Sequence, residues 1–327
     1  MKVLVVGYGS IGKRHVKNLL AITDIQIIIC TKQKISNPSP KRIMIFNSIT
    51  ECIKEEPNIG IISNESSFHM EVAIKLAKAD IDLFIEKPLS NSLKGTKQLS
   101  SIIKQKKIIT QIGCQLRFHK CIKKIKELVS SNKIGKIISV RAESGSFLPD
   151  WHPGENYKKS YAAKNELGGG VTLTNIHEID YLYWLFGEVK EIHAVTGRYS
   201  KLGIDSDDLS VAILKFKKNI VGELHLDYFQ KPDFRSCKII GSEGVIYWDS
   251  DSNIVSLYEN KKEKWIKVLK WTKYDRNSMF KDELIHFLNS VKKRQLTINP
   301  VEKDGIITLK IALGISKSSK SRKMIKI

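Results

Sequence analysis

The chain opens with Met1-Lys2-Val3-Leu4-Val5-Val6-Gly7-Tyr8-Gly9-Ser10-Ile11-Gly12, and this stretch decides the fold. A short apolar run, Lys2–Val6, leads directly into three glycines with the spacing GxGxxG. The first glycine permits a tight turn, the second lets the backbone approach a pyrophosphate, and the third lets the following helix pack on the strand. The stretch therefore predicts a dinucleotide-binding turn at a helix N-terminus, made by Gly7, Gly9, Ser10, Ile11 and Gly12.

Short apolar runs alternate with helical patterns over residues 1–115, which is typical of a parallel α/β sheet. The predicted strands are Lys2–Val6, Ile25–Cys30, Arg42–Phe46, Ile59–Ser63, Ile81–Glu86 and Ile108–Gly113. The predicted helices are Ser10–Leu20, Phe68–Ala79 and Leu89–Lys106. Ser36–Pro40 holds two prolines, so a loop is expected there instead of a crossover helix. The fold class is α/β, beginning with a Rossmann doubly wound parallel sheet.

The pattern changes after Gly113, where consecutive short strands joined by turns predict an α+β domain with an open, mostly antiparallel sheet. The predicted strands are Ile137–Ala142, Glu191–Tyr199, Leu209–Phe216, Ile220–Tyr228, Cys237–Ile240, Val245–Trp248 and Ile254–Tyr258. The predicted helices are Cys121–Ser131, Gly168 to Phe186, Met279–Lys292 and Lys303–Ser316. We expect residues 1–118 to form an NAD(P)-binding domain and residues 119–327 a domain for substrate binding and subunit contacts, whose C-terminal helix packs back toward the first domain.

The composition is that of a soluble globular protein, with 42% hydrophobic and 27% charged residues among 327. No apolar run is long enough to cross a bilayer, and the start is too short for a signal peptide, so a cytoplasmic location without membrane contact is expected. The five cysteines are odd in number and lack CxxC pairing, which predicts reduced thiols and no metal site.

The formal net charge is +21, from 55 basic and 34 acidic residues. The basic residues are mostly lysines spread along the whole chain, and they are not interleaved with the aromatic residues that single-stranded nucleic acids stack on. The charge therefore argues for an anionic substrate or cofactor and against nucleic acid as the partner.

The end of the second predicted strand bears on the cofactor. NAD-binding turns usually have an Asp or Glu there for the ribose hydroxyls, whereas this chain has Thr31 and Lys32. Thr31 can donate a hydrogen bond and Lys32 can neutralise a 2′-phosphate. NADP(H) is therefore favoured, and NAD(H) remains an alternative.

Four further motifs, in order along the chain, carry a family resemblance. Asn64 to His69 follows one strand, Glu86-Lys87-Pro88 ends the next, and Gly168–Gly170 precedes a helix with His177-Glu178-Ile179-Asp180. Together with the opening glycine turn, these motifs resemble the glucose–fructose oxidoreductase / inositol dehydrogenase / MocA (Gfo/Idh/MocA) family. The text around Asp150–Pro153 and Tyr181–Gly187 is most similar to members linked to surface-polysaccharide and flagellin sugar biosynthesis.

The resemblance implies an NAD(P)-dependent sugar oxidoreductase with its active site between the two domains. It places Lys87 beside the nicotinamide and the substrate hydroxyl, gives His177 a role in proton transfer, and implies cofactor contacts from the residues matching Asn64, His69 and Glu86. The chemistry agrees, because hydride removal from a carbinol carbon requires a nearby base for the hydroxyl proton, and a histidine suits that task.

One position departs from the family pattern. The family often has an Asp one turn before the histidine, where this chain has Thr174 followed by Asn175. Asp180, three residues after His177, could orient the imidazole instead. The missing acid keeps open a second hypothesis, a dinucleotide-binding sensor without turnover on the same scaffold.

The substrate site is predicted from polar and aromatic residues in the second domain. Arg117 suits a carboxylate or phosphate, and aromatic groups beside polar ones suit a sugar ring. The predicted substrate-binding residues are Arg117, Trp151, Tyr157, Tyr161, Thr174, Asn175 and His177. A nucleotide sugar or a sialic-acid-like sugar acid is the expected substrate, whereas an imine or biliverdin reductase would have a hydrophobic cleft instead. The open sheet also predicts a homodimer or homotetramer.

Overall fold

The computed structural model describes residues 1–35 and 42–327. The predicted loop at Ser36–Pro40 lies outside these residues. The chain forms two compact units, one made of residues 1–115 and 276–309, the other of residues 116–275 and 310–327. The chain therefore returns to the first unit after residue 275. The predicted division at residue 118 assigned these later residues to the second domain.

The first unit is built around a parallel sheet with helical crossovers. Its strands are β1 (Lys2–Val6), β2 (Gln26–Cys30), β3 (Ile43–Phe46), β4 (Ile59–Ile62), β5 (Asp82–Glu86) and β6 (Thr110–Gly113). Its helices are α1 (Ser10–Ile22), α2 (Ile49–Lys54), α3 (His69–Lys78) and α4 (Thr96–Lys106), and the strand order is β3-β2-β1-β4-β5-β6. The predicted Rossmann sheet is thus confirmed. All its strands are parallel, and the order in which successive strands are added reverses between β1 and β4.

The sheet is covered partly by chain from far along the sequence. Helix α8 (Arg276–Lys293) buries Leu284 and Phe287 in the same apolar core as Val3 and Ile27. The Phe287 ring meets the ring of Phe84 edge to face, with centroids 5.6 Å apart. This apolar burial explains why α8 belongs to the first unit.

One helix of the first unit begins later than predicted. Helix α4 begins at Thr96, not at Leu89, because Gly95 precedes it in the left-handed region with φ +82°. Ser90 also turns the chain locally, since its hydroxyl accepts from the Ser92 N–H at 3.4 Å. Helix α2, which lies after β3, was not predicted; it has only six residues and too little periodicity to be recognised.

The second unit contains a large mixed sheet. Helix α5 (Lys120–Ser130) precedes β7 (Ile137–Gly145), and two helices follow, α6 (Val171–Thr174) and α7 (His177–Phe186). The remaining strands are β8 (Val189–Gly197), β9 (Leu209–Phe216), β10 (Val221–Asp227), β11 (Phe234–Gly241), β12 (Gly244–Asp249), β13 (Ile254–Glu259), β14 (Lys264–Lys270) and β15 (Ile325–Lys326). Helix α9 (Ile306–Ser321) lies between α8 and β15. The order is β14-β13-β12-β11-β7-β10-β9-β8-β15, with β7 and β10 parallel and the other neighbours antiparallel, which confirms the predicted mostly antiparallel sheet.

Two features of the second unit differ from prediction. The helix expected from Gly168 to Phe186 is interrupted at Asn175, whose backbone (φ −94°, ψ 35°) leaves the helical region. Strand β14 was not predicted, because lysines alternate with its apolar residues, as is common in edge strands.

No helix in the described ranges 1–35 and 42–327 has both the length and the hydropathy needed to cross a membrane.

Candidate active site

The glycine turn of the first unit is held by close backbone contacts. Gly7 follows β1 with φ +91°, and a side chain there would put its Cβ 2.6 Å from the backbone nitrogen of Asn64. A side chain at Gly12 would collide with the carbonyl oxygen of Gly7. Both positions therefore require glycine, and they fix the turn against the carboxyl end of β4.

The outer side of the same turn is open. At Gly9 a Cβ would meet no described atom within 4 Å. Gly9 is also the N-cap of α1 and caps it with no side chain, so the first backbone N–H groups of that helix remain available to an anion. Asn64 lies against Gly7, and Asn64 Oδ1 and Ser67 Oγ are buried without a hydrogen-bond partner among the described residues.

These observations fit a bound dinucleotide. The turn supplies an uncapped helix N-terminus and a bare Gly9 for a pyrophosphate, and the Asn64 amide oxygen is an acceptor that lacks a donor. Within the part of the chain that the structure describes, no group of three or more His, Cys, Asp or Glu residues could hold a metal ion.

The end of β2 carries hydrogen-bonding and basic groups. The Thr31 hydroxyl oxygen accepts from the Gln33 N–H at 3.1 Å, which leaves its own proton to donate elsewhere. Lys32 is exposed. A short turn thus presents a hydroxyl and an ammonium group just after the strand.

At the end of β5, Glu86 is bound by a histidine from α1. His15 Nε2 lies 2.7 Å from Glu86 Oε1, and the two residues are 0% and 6% exposed. His15 Nδ1 has no partner among the described residues. Glu86 was predicted to contact the cofactor, whereas the structure shows it bonded to His15. Lys87 follows directly and is half-buried.

His69 was also predicted to contact the cofactor. Its Nε2 lies 2.9 Å from the Asn64 carbonyl oxygen and its Nδ1 lies 2.9 Å from that of Pro88. Both ring nitrogens therefore face backbone carbonyl oxygens. This placement argues against a cofactor hydrogen bond from the imidazole.

In the second unit, the interruption between α6 and α7 gathers three predicted residues. Thr174 ends α6, Asn175 lies in the break, and His177 begins α7; all three are buried. Asn175 Nδ2 has no hydrogen-bond partner among the described residues. Burial raises the pKa of the neighbouring Tyr228 phenol well above its ordinary value, and a hydrogen bond with Thr174 opposes that rise.

Arg117, which was predicted to bind the substrate, lies wholly in the interior of the second unit. Its Nε and Nη2 each donate to one carboxylate oxygen of Asp180 at 2.8 Å, and both residues are at most 1% exposed. A guanidinium neutralised in this way is a poor ligand for a substrate anion. The structure thus argues against a substrate role for Arg117, while orientation of His177 by Asp180 stays a prediction.

The predicted aromatic residues Trp151, Tyr157 and Tyr161 are half-buried, and polar atoms of the first two bond the protein. Trp151 Nε1 donates to Ser146 Oγ at 2.9 Å, and its ring meets that of Tyr228 edge to face at 5.3 Å. The Tyr157 hydroxyl donates to the Leu202 carbonyl at 3.0 Å. Because these polar atoms already bond the protein, the two rings could contact a ligand through their apolar surfaces rather than by hydrogen bonds.

Of the predicted cofactor residues, the glycine turn, Thr31, Lys32, Asn64, Glu86 and Lys87 all lie at or just after the carboxyl ends of β1, β2, β4 and β5. The sequence missed His15, Ser67 and Tyr228. Ser67 lies inside the motif Asn64 to His69, but no sequence pattern shows that its hydroxyl is buried without a partner among the described residues or that His15 bonds Glu86.

Comparison with known families defines the class of protein. Residues 1–114 match the family model described as "Oxidoreductase family, NAD-binding Rossmann fold", and residues 122–247 match the "GFO/IDH/MocA C-terminal domain". The chain belongs to the Gfo/Idh/MocA family of oxidoreductases, as its motifs predicted.

Curated relatives and solved structures narrow the comparison. The myo-inositol 2-dehydrogenase of Thermotoga maritima is 25% identical over 100% of this chain and 98% of its own length. The levoglucosan dehydrogenase of Pseudarthrobacter phenanthrenivorans is 23% identical over 76% of this chain and 73% of its own. A levoglucosan dehydrogenase solved in complex with NADH has a TM-score of 0.87 at 17% identity, covering 100% of this chain and 99% of that one. At that identity the structural match supports the fold alone.

Proposed function

We propose that this chain is an NAD(P)-dependent dehydrogenase or reductase acting on a carbinol or keto carbon of a sugar derivative. The observation that carries the proposal is the open phosphate-binding turn at Gly7–Gly12, with Lys87 at the end of a strand of the same sheet. When bound, the nicotinamide supplies hydride transfer.

Two side chains of this chain handle the substrate proton in the proposal. His177, whose imidazole can both accept and donate a proton, accepts or returns the hydroxyl proton. The Lys87 ammonium stabilises the negative charge that develops on the substrate oxygen. With Thr174 at the family's acid position, no carboxylate of that position takes part.

NADP(H) is the proposed cofactor. Thr31 retains a hydroxyl proton to donate, Lys32 is exposed beside it, and neither is an acid that would repel a 2′-phosphate. The relative solved with NADH shows that NAD(H) serves another member of this fold. Titrating both cofactors against the protein tests the choice, and tighter binding of NADH would refute it.

The proposed substrate class is an anionic sugar derivative, either a nucleotide sugar or a sialic-acid-like sugar acid. Asn175 Nδ2 is a buried donor without a partner among the described residues, and Thr174 contributes no negative charge beside it. A carboxylate or phosphate would therefore gain a donor there without like-charge repulsion. The relatives' names concern inositol and levoglucosan, so neutral polyols are the comparison set.

The experiment follows the absorbance of reduced nicotinamide while sugar acids, sugar nucleotides and neutral polyols are offered in turn. We expect turnover with an anionic sugar and its loss in Lys87→Ala. Turnover with neutral polyols only would refute the substrate class, and turnover unchanged by Lys87→Ala would refute the role of Lys87.

A second candidate function, a dinucleotide-binding sensor, is favoured by Thr174 alone. It predicts cofactor binding without turnover on every substrate, with an affinity unaffected by His177→Ala. The same titrations and assays distinguish it from the enzyme.

We also propose that the chain forms a homo-oligomer through the outer face of its second sheet. Val195, Val211 and Ile213 are 49%, 38% and 43% exposed, and Val195 lies opposite Val211 in the antiparallel register. Ile213→Lys should shift the sedimentation coefficient toward the monomer. Ile285→Lys on α8, with 42% exposure, is the matched control and should not.

A further inference from the structure

His69 joins two loops of the first unit. It begins α3, is 1% exposed, and lies 2.9 Å from each of two backbone carbonyl oxygens. One carbonyl belongs to Asn64, in the loop after β4, and the other to Pro88, in the loop after β5. A single ring therefore bridges the two loops that follow neighbouring strands.

The chemistry of these two contacts is unequal. Carbonyl oxygens only accept hydrogen bonds, and a neutral imidazole has one N–H and one lone pair. The neutral ring therefore satisfies one carbonyl and turns a lone pair toward the other, whereas the imidazolium donates to both. Either form holds at least one loop by a buried hydrogen bond. Loss of the ring removes this hydrogen bond from both the Asn64 and the Pro88 carbonyl.

The charges around the ring act in both directions. Burial, the largest cause, lowers the pKa of His69, while the Asn64 and Pro88 carbonyls and the carboxylates of Glu86 and Glu65 raise it. Lys87 follows Glu86 in the same loop, and Glu86 is bonded to His15. The two carbonyl contacts thus partly offset the cost of burying a charged ring.

The bridged residues are the ones that the proposed function uses. Asn64 carries the buried amide oxygen without a partner and contacts the turn at Gly7, and Pro88 is the residue after Lys87. We propose that His69 is a positioning residue, which fixes the Lys87 loop relative to Asn64 through the Asn64 and Pro88 carbonyls. The expected change in turnover rests on the proposed function, whereas the expected change at Lys87 rests on the geometry alone.

The test compares His69→Leu, which has no donor, with His69→Gln, whose uncharged amide has two N–H groups. Reaction of Lys87 with acetic anhydride, in protein without cofactor, is followed by peptide mass spectrometry relative to the exposed Lys78. We expect Lys87 to react several times faster in His69→Leu. We expect kcat to fall about 10- to 100-fold with KM changed less than about 3-fold, because misplacement of a reacting group costs rate more than binding. His69→Gln should restore most of both.

The control is His286→Leu, since His286 Nε2 also bonds a backbone group, accepting from the Ile298 N–H at 3.0 Å. If His69→Leu does not fold, His69→Asn takes its place, because its amide is too short to span both carbonyls. Lys87 reactivity equal to wild type in a folded variant, or raised equally in the control, would overturn the positioning role. If Lys87 reacts faster in His69→Leu but the wild-type protein turns over no substrate, the positioning role stands and the proposed function is wrong.

Discussion

The two units differ in how they present polar groups to a ligand. In the first unit, the groups that we propose to face a ligand are backbone N–H groups at an uncapped helix, and the Asn64 and Ser67 side-chain oxygens are buried without partners among the described residues. In the second unit, several predicted ligand groups bond within the unit, as in the Arg117–Asp180 pair and the Tyr157 hydroxyl. The site proposed in the first unit consists mainly of backbone groups, whereas the one proposed in the second unit consists mostly of side chains, several of which also stabilise the fold.

This difference shows which kind of site can be predicted from a sequence. A phosphate-binding turn depends on where a side chain must be absent, and glycine spacing records that directly. A side-chain site depends on which partner each polar group takes, and that choice is made across long stretches of chain. Arg117 and Asp180 are 63 residues apart, and neither position carries a local signal of their pairing.

The largest expected effect concerns Lys87 and His177, one residue from each unit. Lys87→Ala and His177→Ala should each lower kcat by about 10²- to 10⁴-fold, as for removal of a proton-transfer or charge-stabilising group. The double variant should lose little more than the worse single one, because groups that act on one oxygen are strongly non-additive. Steady-state kinetics with saturating cofactor provides the measurement.

Controls for this pair are Lys94→Ala and His193→Ala, both at exposed positions. Near-normal rates in the single variants would remove both proposed roles. Losses that multiply in the double variant would mean that the two units contribute independently, and the contrast between the units would then extend to catalysis.

The next effect concerns the stability of the second unit, which depends on the Arg117–Asp180 ion pair. Arg117→Leu or Asp180→Leu should each reduce the free energy of unfolding by about 3–5 kcal/mol, because each leaves a buried charge without its partner. The double replacement should cost less than either single one. All five tryptophans lie in the second unit, so their fluorescence in urea reports the relevant transition.

The exposed pair Glu71–Lys75 on α3 is the control, where Lys75→Ala should cost about 0.5 kcal/mol or less. A rise in KM without loss of stability in Arg117→Leu would restore the substrate role that the sequence predicted for this arginine.

The fold was more predictable than the site because it depends on averages over many residues. Continuous apolar runs such as Lys2–Val6 predicted buried parallel strands, and alternation predicted Leu209–Phe216 with its observed bounds. The errors fell where local chemistry competes with periodicity. Lysines concealed the edge strand Lys264–Lys270, and the break at Asn175 divided a run that reads as one helix.

A smaller effect tests the open side of the glycine turn. Gly9→Val should raise the dissociation constant of the cofactor about 10- to 100-fold while the free energy of unfolding changes by less than about 0.5 kcal/mol, since a Cβ at this position meets no described atom within 4 Å. Calorimetric titration and thermal unfolding give the two quantities. Gly12→Ala is the matched control and should lose about 1–3 kcal/mol of stability, because its Cβ meets the Gly7 carbonyl. Equal stability losses in both variants would contradict an open turn.

The last effect is a pH dependence of the stability of the second unit. His119 is 2% exposed, its Nδ1 accepts from the Cys121 N–H, and its ring meets Trp248 and Trp271 edge to face. Burial, and then Arg235, lowers its pKa to about 3. Because the unfolded chain takes up this proton near its ordinary pKa and the folded chain only near 3, stability is complete above about pH 6.5 and falls on acidification, by at most about 1.4 kcal/mol per pH unit. His119→Phe keeps the aromatic contacts and should flatten that part of the urea-unfolding profile. An unchanged slope between pH 4 and 6 would mean that the folded unit admits the proton, and that its interior is more accessible to water than the close ring packing indicates.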